Sequence, residues 1–400
     1  MRKVSYLVHA KRTAIGSFGG ALSTLRVDDM LAELLKDYKS KATFDLKEID
    51  DAIIGCANQA GEDNRNLARM SLLLAGYPYE VPGTTINRLC GSSLDAVMDA
   101  HARIQAGLGD CFIAGGAESM SRAPYVMSKA NSAFDRSQKI WDTSIGWRFE
   151  NPKMAEIFPL LGMGETAEEV QKLHGISRND QDAFAFNSHQ KALKAQEAGL
   201  FNDEIMPLTI ESKKGSTIVA KDEGPRADTS LEKLAKLKPA FRKDGSVTAG
   251  NSSSINDGAS MVIVVSEEFL KRHNLKPLVM ITGGAVHGLH PNVMGLGPVG
   301  AIKKLSNRFG YKISDFDLIE LNEAFAAQAL GCIKELELDQ SKINKLGGSI
   351  ALGHPLGCSG TRILTTLTHQ MIKNPTYKKG LASMCIGVGQ GIALSVENCL

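Results

Sequence analysis

The heptapeptide INRLCGS at residues 86–92 returns as INKLGGS at residues 343–349, and the two copies sit in matching surroundings. Each follows an acidic turn and an apolar run, EIDDAIIG from position 48 and DFDLIELN from position 315, and each precedes a helical pattern and a further apolar run ending in glycines. A chain whose halves repeat in this order is constrained to build two related units and to pack them together. Within each unit, short Val- and Ile-rich runs alternate with amphipathic stretches, the pattern of an α/β architecture with buried strands. Strands are expected at 5–8, 52–54, 111–114, 261–265, 279–281, 318–321, 381–385 and 392–396, and helices at 27–38, 93–106, 180–198, 301–309, 323–335 and 360–372. Residues 119–239 have no counterpart in the second half and read as an insertion carrying substrate contacts. The expected division is therefore a first half at 1–118, an inserted loop domain at 119–239, a completion of the first half at 240–270 and a second half at 271–400.

Composition narrows the partners. With 46 basic and 44 acidic residues the formal charge is only +2, too little for the basic field that nucleic acid or an anionic membrane requires. No apolar run approaches the ~20 residues of a membrane span. The apolar stretch near the N-terminus is broken by His9, Lys11 and Arg12, unlike a secretory leader, so the expected compartment is the cytoplasm. The seven cysteines, at 56, 90, 111, 332, 358, 385 and 399, are scattered and never spaced C-x-x-C, which gives neither a disulfide framework nor a zinc site. No metal is expected.

Four clusters carry chemistry. Cys90 stands in NRLCGSSLDAV, where small residues open a helical pattern. A sulfur at a helix N-terminus near an imidazole is expected to ionise more easily than a free thiol; the plainer alternative is a small buried hydrophobe. His354 lies in GGSIALGHPLGCSGTRI, residues 347–363. Glycines there leave a ligand room to approach, and the His-Pro pair fixes the backbone. A phosphate-cradling loop is the rival reading, but neither a Walker lysine nor a G-x-G-x-x-G opening a first βαβ unit is present. In CIGVGQG, residues 385–391, Cys385 ends an apolar run, and the following glycines offer N–H groups for an oxyanion or simply form a hairpin turn; both readings can hold. Asn322, in LNEAF, sits where a strand meets a helix, and its bland role is a helix cap.

Taken together, NRLCGSS, GGAESMS, TAGNSSSINDGA, LNEAFA, GHPLGCSG and CIGVGQG resemble the signature segments of thiolases, in their usual order and from end to end of the chain. The resemblance implies an α/β fold of two duplicated βαβαβα halves in a five-layered α/β/α/β/α arrangement, a loop domain inserted in the first half, and a homotetramer built from dimers. It implies no resident cofactor, with coenzyme A as co-substrate and CoA thioesters as the small-molecule partners. By the same resemblance Cys90 is the acylated nucleophile, His354 its base and Cys385 the second acid and base. Asn322 holds a water at the enolate, and the N–H groups of Cys90 and Gly387 meet the tetrahedral oxyanion. Arg226 is implied near the CoA nucleotide and Ser253 near the pantetheine. Two positions depart from the family's common pattern: Ser254 stands where a glycine is usual, and Gly162 stands where acetoacetyl-specific members place a histidine.

Within the family, GCANQAGEDNRNLARM (55–70) and DTSIGWRFENP (142–152) resemble 3-oxoadipyl-CoA thiolases. Such a substrate carries a distal carboxylate, for which Arg148 or Lys129 is the candidate cation. The alternatives are an acetyl-CoA acetyltransferase or a broad-chain 3-ketoacyl-CoA thiolase. A ketoacyl synthase of the same superfamily typically lacks Cys385, and a non-catalytic lipid-binding relative has no need of all four catalytic positions.

Overall fold

The structure, a computed structural model, describes residues 3–213 and 215–399. Nine strands carry its central sheet: β1 (Ser5–Arg12), β2 (Asp51–Gly55), β3 (Gly83–Ile86), β4 (Cys111–Ser119), β5 (Asn256–Ser266), β6 (Val279–Gly288), β7 (Leu318–Leu321), β8 (Lys379–Ile386) and β9 (Gln390–Asn398). A two-residue strand, Gly16–Ser17, adds a tenth on β5. The order is β7-β8-β9-β6-β1-β5-β4-β2-β3. From the outer edge inward, β3-β2-β4-β5-β1 runs with two parallel pairings and then two antiparallel ones. The second half repeats this as β7-β8 parallel, then β8-β9 and β9-β6 antiparallel. The place of β3 is taken there by Ile343, which bridges in parallel to Ile319. The repeated heptapeptide thus begins at the same sheet edge in both halves, at Ile86 and at Ile343. The halves join where Ser5, Tyr6 and Leu7 pair with Ile281, Met280 and Val279.

Side-chain alternation along the strands builds the layers. Helices α1 (Val27–Lys39), α2 (Leu67–Leu74) and α3 (Ser92–Ala106) belong to the first half; α4 (Met163–His174) and α5 (Arg178–Glu197) to the insertion; α6 (Gly297–Phe309), α7 (Ala326–Leu336) and α8 (Leu356–Lys373) to the second half. Ile113, Met261 and Ile263 face α1 and α2 in one apolar cluster. Their neighbours Phe112, Ala114, Val262 and Val264 face α3 and α8 in a second, which also receives Leu318, Ala382, Ile392 and Leu394 from the other half. Ile319, Leu321, Leu381 and Ala393 point the opposite way, to α6 and α7. The result is the five-layered α/β/α/β/α arrangement, with α3 and α8 in the middle. Because β5 is covered on both faces, all eleven of its residues are buried, and its stretch from Met261 to Val265 reads as an unbroken apolar run rather than an alternating one.

The central layer is packed closely enough to exclude side chains. A Cβ on Gly116 would lie 2.0 Å from the Gly357 carbonyl oxygen, so glycine at 116 lets β4 touch the first turn of α8. The insertion is tied to this framework by Arg12, fully buried on β1, which donates to Glu204 at 2.7 Å and to both oxygens of Asp222 at 2.7 and 3.0 Å. Two helix starts differ from expectation. Helix α8 begins at Leu356, directly after His354-Pro355, and α7 begins only at Ala326 with extended Phe325 as its cap residue. Asn322 is therefore not a helix cap.

Candidate active site

Cys90 sits in a tight strand-turn-helix connection between β3 and α3. Leu89 before it takes φ +48°, a conformation uncommon outside glycine, and is held there by a bond from its N–H to Asn87 Oδ1 at 2.8 Å. Ser92 closes the turn, donating to the Leu89 carbonyl at 2.6 Å and accepting from the Arg88 N–H at 2.9 Å. Two backbone N–H groups, those of Gly387 and of Cys90 itself, interact with the Cys90 sulfur. Gly387 opens the three-residue turn of the β8–β9 hairpin, and Cys385 is the penultimate residue of β8, two positions before it. The two sulfurs are close enough for each thiolate to disfavour the other.

Burial, not the helix terminus, dominates the Cys90 thiol. Desolvation pushes its pKa up to about 11, against the lowering effect of the two N–H groups. The expectation of an easily ionised thiol at rest is thus corrected: the start of α3 and the N–H groups do not outweigh the loss of water. Cys385, almost fully buried, is likewise raised well above its ordinary value, first by desolvation and then by the neighbouring Cys90, and is a thiol at neutral pH.

His354 is buried on the connection before α8, and its pKa is lowered to about 3 by desolvation and by the nearby Arg362. The imidazole is neutral, and its tautomer follows from its neighbours. Ser359 donates its only hydroxyl proton to the Pro355 carbonyl at 2.8 Å, so at 2.6 Å from His354 Nδ1 it accepts and Nδ1 carries the hydrogen. Nε2 is left with its lone pair, facing Asn322 Nδ2 at 3.4 Å. The amide is oriented from its other side: Arg362 donates to Ser349 Oγ at 2.7 Å, and Ser349 donates to Asn322 Oδ1 at 2.6 Å. Asn256 Oδ1 accepts the His354 N–H at 2.9 Å and the Ser254 hydroxyl at 2.9 Å. Ser254 therefore braces the loop that carries His354. Ser349, Ser359, Arg362 and Asn256 were not singled out in the sequence; all four stand inside quoted motifs, but nothing in a motif tells which side chain points inward.

A cavity of about 380 Å³ opens onto Cys90 and is lined also by Glu118, Arg148, Met163, Gly387 and Val388. Glu118 was likewise missed. One of its oxygens accepts the N–H groups of Ala57 and Gly357 at 2.8 Å each, and the other that of Asn58 at 3.1 Å. It thereby ties the cavity wall to the start of α8, and burial raises its pKa to about 7. Arg148 donates to the Asn58 carbonyl at 3.1 Å and, among the described residues, faces no carboxylate at ion-pair distance. Lys129 is exposed and is not part of this wall. Gly162 caps the start of α4, and a Cβ there would meet nothing closer than Glu165 at 3.4 Å, so nothing fills the space a bulkier residue would take. A second cavity, of about 610 Å³, is lined by Arg226, His189, Ser252 and Ser254. Arg226 is exposed there, while Ser253 is bonded through its N–H to the Ala324 carbonyl at 2.9 Å and does not line that cavity. A cleft of about 850 Å³ beneath α6 contains none of these groups.

Residues 5–268 match the thiolase N-terminal domain family, and residues 275–398 the thiolase C-terminal domain family. The chain belongs to the thiolase family. It is 52% identical over 400 residues to the Beta-ketoadipyl-CoA thiolase of Pseudomonas aeruginosa, covering 99% of this chain and 100% of that protein. It is also 52% identical over 398 residues to the 3-oxoadipyl-CoA/3-oxo-5,6-dehydrosuberyl-CoA thiolase of Escherichia coli K12, covering 98% and 99% of the two chains. Among solved structures, the Bacillus anthracis acetyl-CoA acetyltransferase superposes with a TM-score of 0.93 at 42% identity, with 99% of each chain covered. Human mitochondrial 3-ketoacyl-CoA thiolase does so with a TM-score of 0.91 at 39% identity, again over 99% of both chains. This thiolase is accordingly an acyltransferase. No helix among its described residues is long and apolar enough to cross a membrane.

Proposed function

We propose that this thiolase cleaves 3-oxoadipyl-CoA with coenzyme A to acetyl-CoA and succinyl-CoA, and that Cys90, His354, Cys385, Asn322 and Gly387 carry the reaction. The observation that carries the substrate reading is Arg148, a cation without an acidic partner in the wall of the cavity that holds Cys90. The names of the full-length relatives support it.

In the first half-reaction His354 Nε2 takes the Cys90 proton as the sulfur attacks C3. With both groups neutral at rest, the thiolate forms in step with attack and its charge passes to the carbonyl oxygen, which in this reading comes within reach of the Cys90 and Gly387 N–H groups. The C2–C3 bond then breaks, leaving the electron pair on C2 as the enolate of acetyl-CoA. Asn322 and His354 stabilise that oxygen, and Cys385 delivers a proton to C2. Acetyl-CoA leaves and a succinyl thioester stays on Cys90. In the second half-reaction the Cys385 thiolate takes the proton of an incoming CoA thiol, and the CoA sulfur attacks the thioester. As the tetrahedral intermediate collapses, succinyl-CoA departs and the Cys90 thiolate takes back the proton held on His354, which closes a ping-pong cycle. In this reading the enzyme works in the cytoplasm as a homotetramer without resident cofactor, and Arg226 and Ser253 serve the CoA nucleotide and pantetheine. Exposed apolar side chains on the insertion, Tyr125, Met127, Phe134 and Ile140, support an assembly surface.

Cleavage rates on 3-oxoadipyl-CoA, 3-oxohexanoyl-CoA and acetoacetyl-CoA test the substrate. The first is expected to have the highest kcat/KM, and Arg148→Ala to lower it roughly tenfold to a hundredfold, the range of one charge-assisted hydrogen bond, while the uncharged substrates change little. A wild-type preference for the uncharged six-carbon substrate overturns the carboxylate reading and leaves a broad 3-oxoacyl-CoA thiolase.

A further inference from the structure

The turn that brings Gly387 to Cys90 contains an anomaly. The β8–β9 hairpin closes through Gly387, Val388 and Gly389, with Ile386 paired to Gln390. Two consecutive residues have positive φ, Val388 at +62° and Gly389 at +80°. Glycine at 389 is required on two counts, because a Cβ there would also lie 2.3 Å from the Leu289 carbonyl oxygen. Hairpin positions of this kind favour Asn, Asp or Gly, and a β-branched residue is a genuine outlier in that region. Valine is therefore a poor choice for making the turn.

Nor does core packing account for it. Val388 is 41% exposed, whereas Ile386, immediately before the turn, and Ile392, the third residue of β9, are fully buried. What the side chain does reach is the cavity: Val388 lines it together with Cys90, Leu89, Met163 and Arg148. Backbone strain persists where surroundings over-determine it, and it clusters at ligand clamps. An apolar, stiff side chain at this point has one evident use, to give a ligand's hydrocarbon a surface that glycine would not.

We propose that Val388 is a specificity-determining residue, the apolar wall against which the methylenes of the acyl group lie between the reacting carbon at Cys90 and the far end of the cavity. The proposal rests on the acyl-transfer reading of the cavity but not on the charge at the far end of the substrate. A four-carbon acetoacetyl group ends short of this wall, and a six-carbon acyl group reaches it. The contact is blind to the terminal carboxylate, which is left to Arg148.

Val388→Gly and Val388→Ala, assayed on acetoacetyl-CoA, 3-oxohexanoyl-CoA and 3-oxoadipyl-CoA, test this. Either variant is expected to lower kcat/KM on both six-carbon substrates by about three- to tenfold, the scale of one or two methylene contacts, with acetoacetyl-CoA changed less than twofold. Val388→Gly is also expected to keep or raise the melting temperature, since glycine relieves the positive φ. Equal loss on the four- and six-carbon substrates overturns the proposal and leaves Val388 a turn residue only. So does an unchanged ratio among them. A loss confined to 3-oxoadipyl-CoA overturns it as well, because the contact would then act through the carboxylate. Failure of the 3-oxoadipyl reading appears separately, in the wild-type ratio of the charged to the uncharged six-carbon substrate.

Discussion

In the proposed mechanism Cys90 and Cys385 carry the same functional group in opposite roles, and their surroundings differ. Both are thiols at rest because burial disfavours the thiolate, but only Cys90 has two N–H groups directed at it and an opening to the cavity. Cys385 is enclosed among Met294, Ala324, Phe325 and Ala327, a site that keeps its proton until a strong base such as a C2 carbanion takes it. Cys385→Ser is therefore expected to form the acyl-Cys90 adduct from an acyl-CoA given without free CoA while losing roughly a hundredfold or more in cleavage, the range of general acid–base catalysis. Intact-mass and peptide mass spectrometry read the adduct, and steady-state assays the turnover. Near wild-type cleavage by this variant would remove Cys385 from the mechanism. The imidazole proposed as the base is held by side chains whose direction no motif discloses: the chain from Arg362 through Ser349 to Asn322, with Ser359 on the other ring nitrogen, fixes one tautomer of His354.

At the level of elements, the site is made where connections end rather than where helices and strands run. The expected helix at 323–335 starts three residues late because Asn322, Glu323 and Ala324 are claimed by tertiary partners. The Asn322 N–H donates to the Ser383 carbonyl at 2.9 Å, and Glu323 accepts from Ser188 and Asn344 at 2.7 Å each. Local propensity favoured a helix there, and the hydrogen bonds across the sheet won. The insertion depends on one element in the same way. Arg12 on β1 holds Glu204 and Asp222 with all three side chains fully buried, and removing one member of a buried ionic cluster leaves charges uncompensated. Arg12→Met is expected to cost about 3–5 kcal/mol of stability, measured by denaturant unfolding. A cost below about 1 kcal/mol would mean that the carboxylates find other partners.

For the whole molecule, the buried titratable groups set a pH optimum of stability. Glu118 and Glu320 are raised from 4.5 to about 7 and about 8 by desolvation. Between 4.5 and those values the folded chain holds protons that the unfolded chain has released, so their contribution falls as pH rises and is gone by about pH 8. His9, His101 and His189 are lowered from 6.5 to about 4, and His354 to about 3, again by desolvation first. Below 6.5 the unfolded chain takes up protons that the folded chain refuses, so their contribution is complete above 6.5 and is lost as pH falls toward 4. Between 4.5 and 6.5 these four histidines, joined by His369, oppose Glu118 and Glu320, joined by Glu323 and Asp257, and stability rises with pH; above 6.5 the raised glutamates dominate, and it falls. Melting temperatures across pH 4.5–9 are expected to peak near 6.5. A curve still climbing at pH 8 would contradict the assignment of Glu118 and Glu320 as protonated in the fold.

The sequence by itself determined the duplicated α/β architecture, because a repeated order of apolar runs and helical patterns leaves few ways to bury both halves, and it marked Cys90, His354 and Cys385 through the small residues around them. It also carried the segments similar to 3-oxoadipyl-CoA thiolases. Only the tertiary structure decided which way Asn322 points, that burial overrides the helix terminus at Cys90, and that Glu118, Ser349 and Arg362 belong to the site. It alone put Arg148 in the cavity wall and Lys129 outside it, and it alone exposed the positive φ of Val388. Each of these depends on desolvation or on hydrogen bonds between residues tens to hundreds of positions apart. Such terms have no local signature, since they arise only when the fold removes water from a group and brings a distant partner to it.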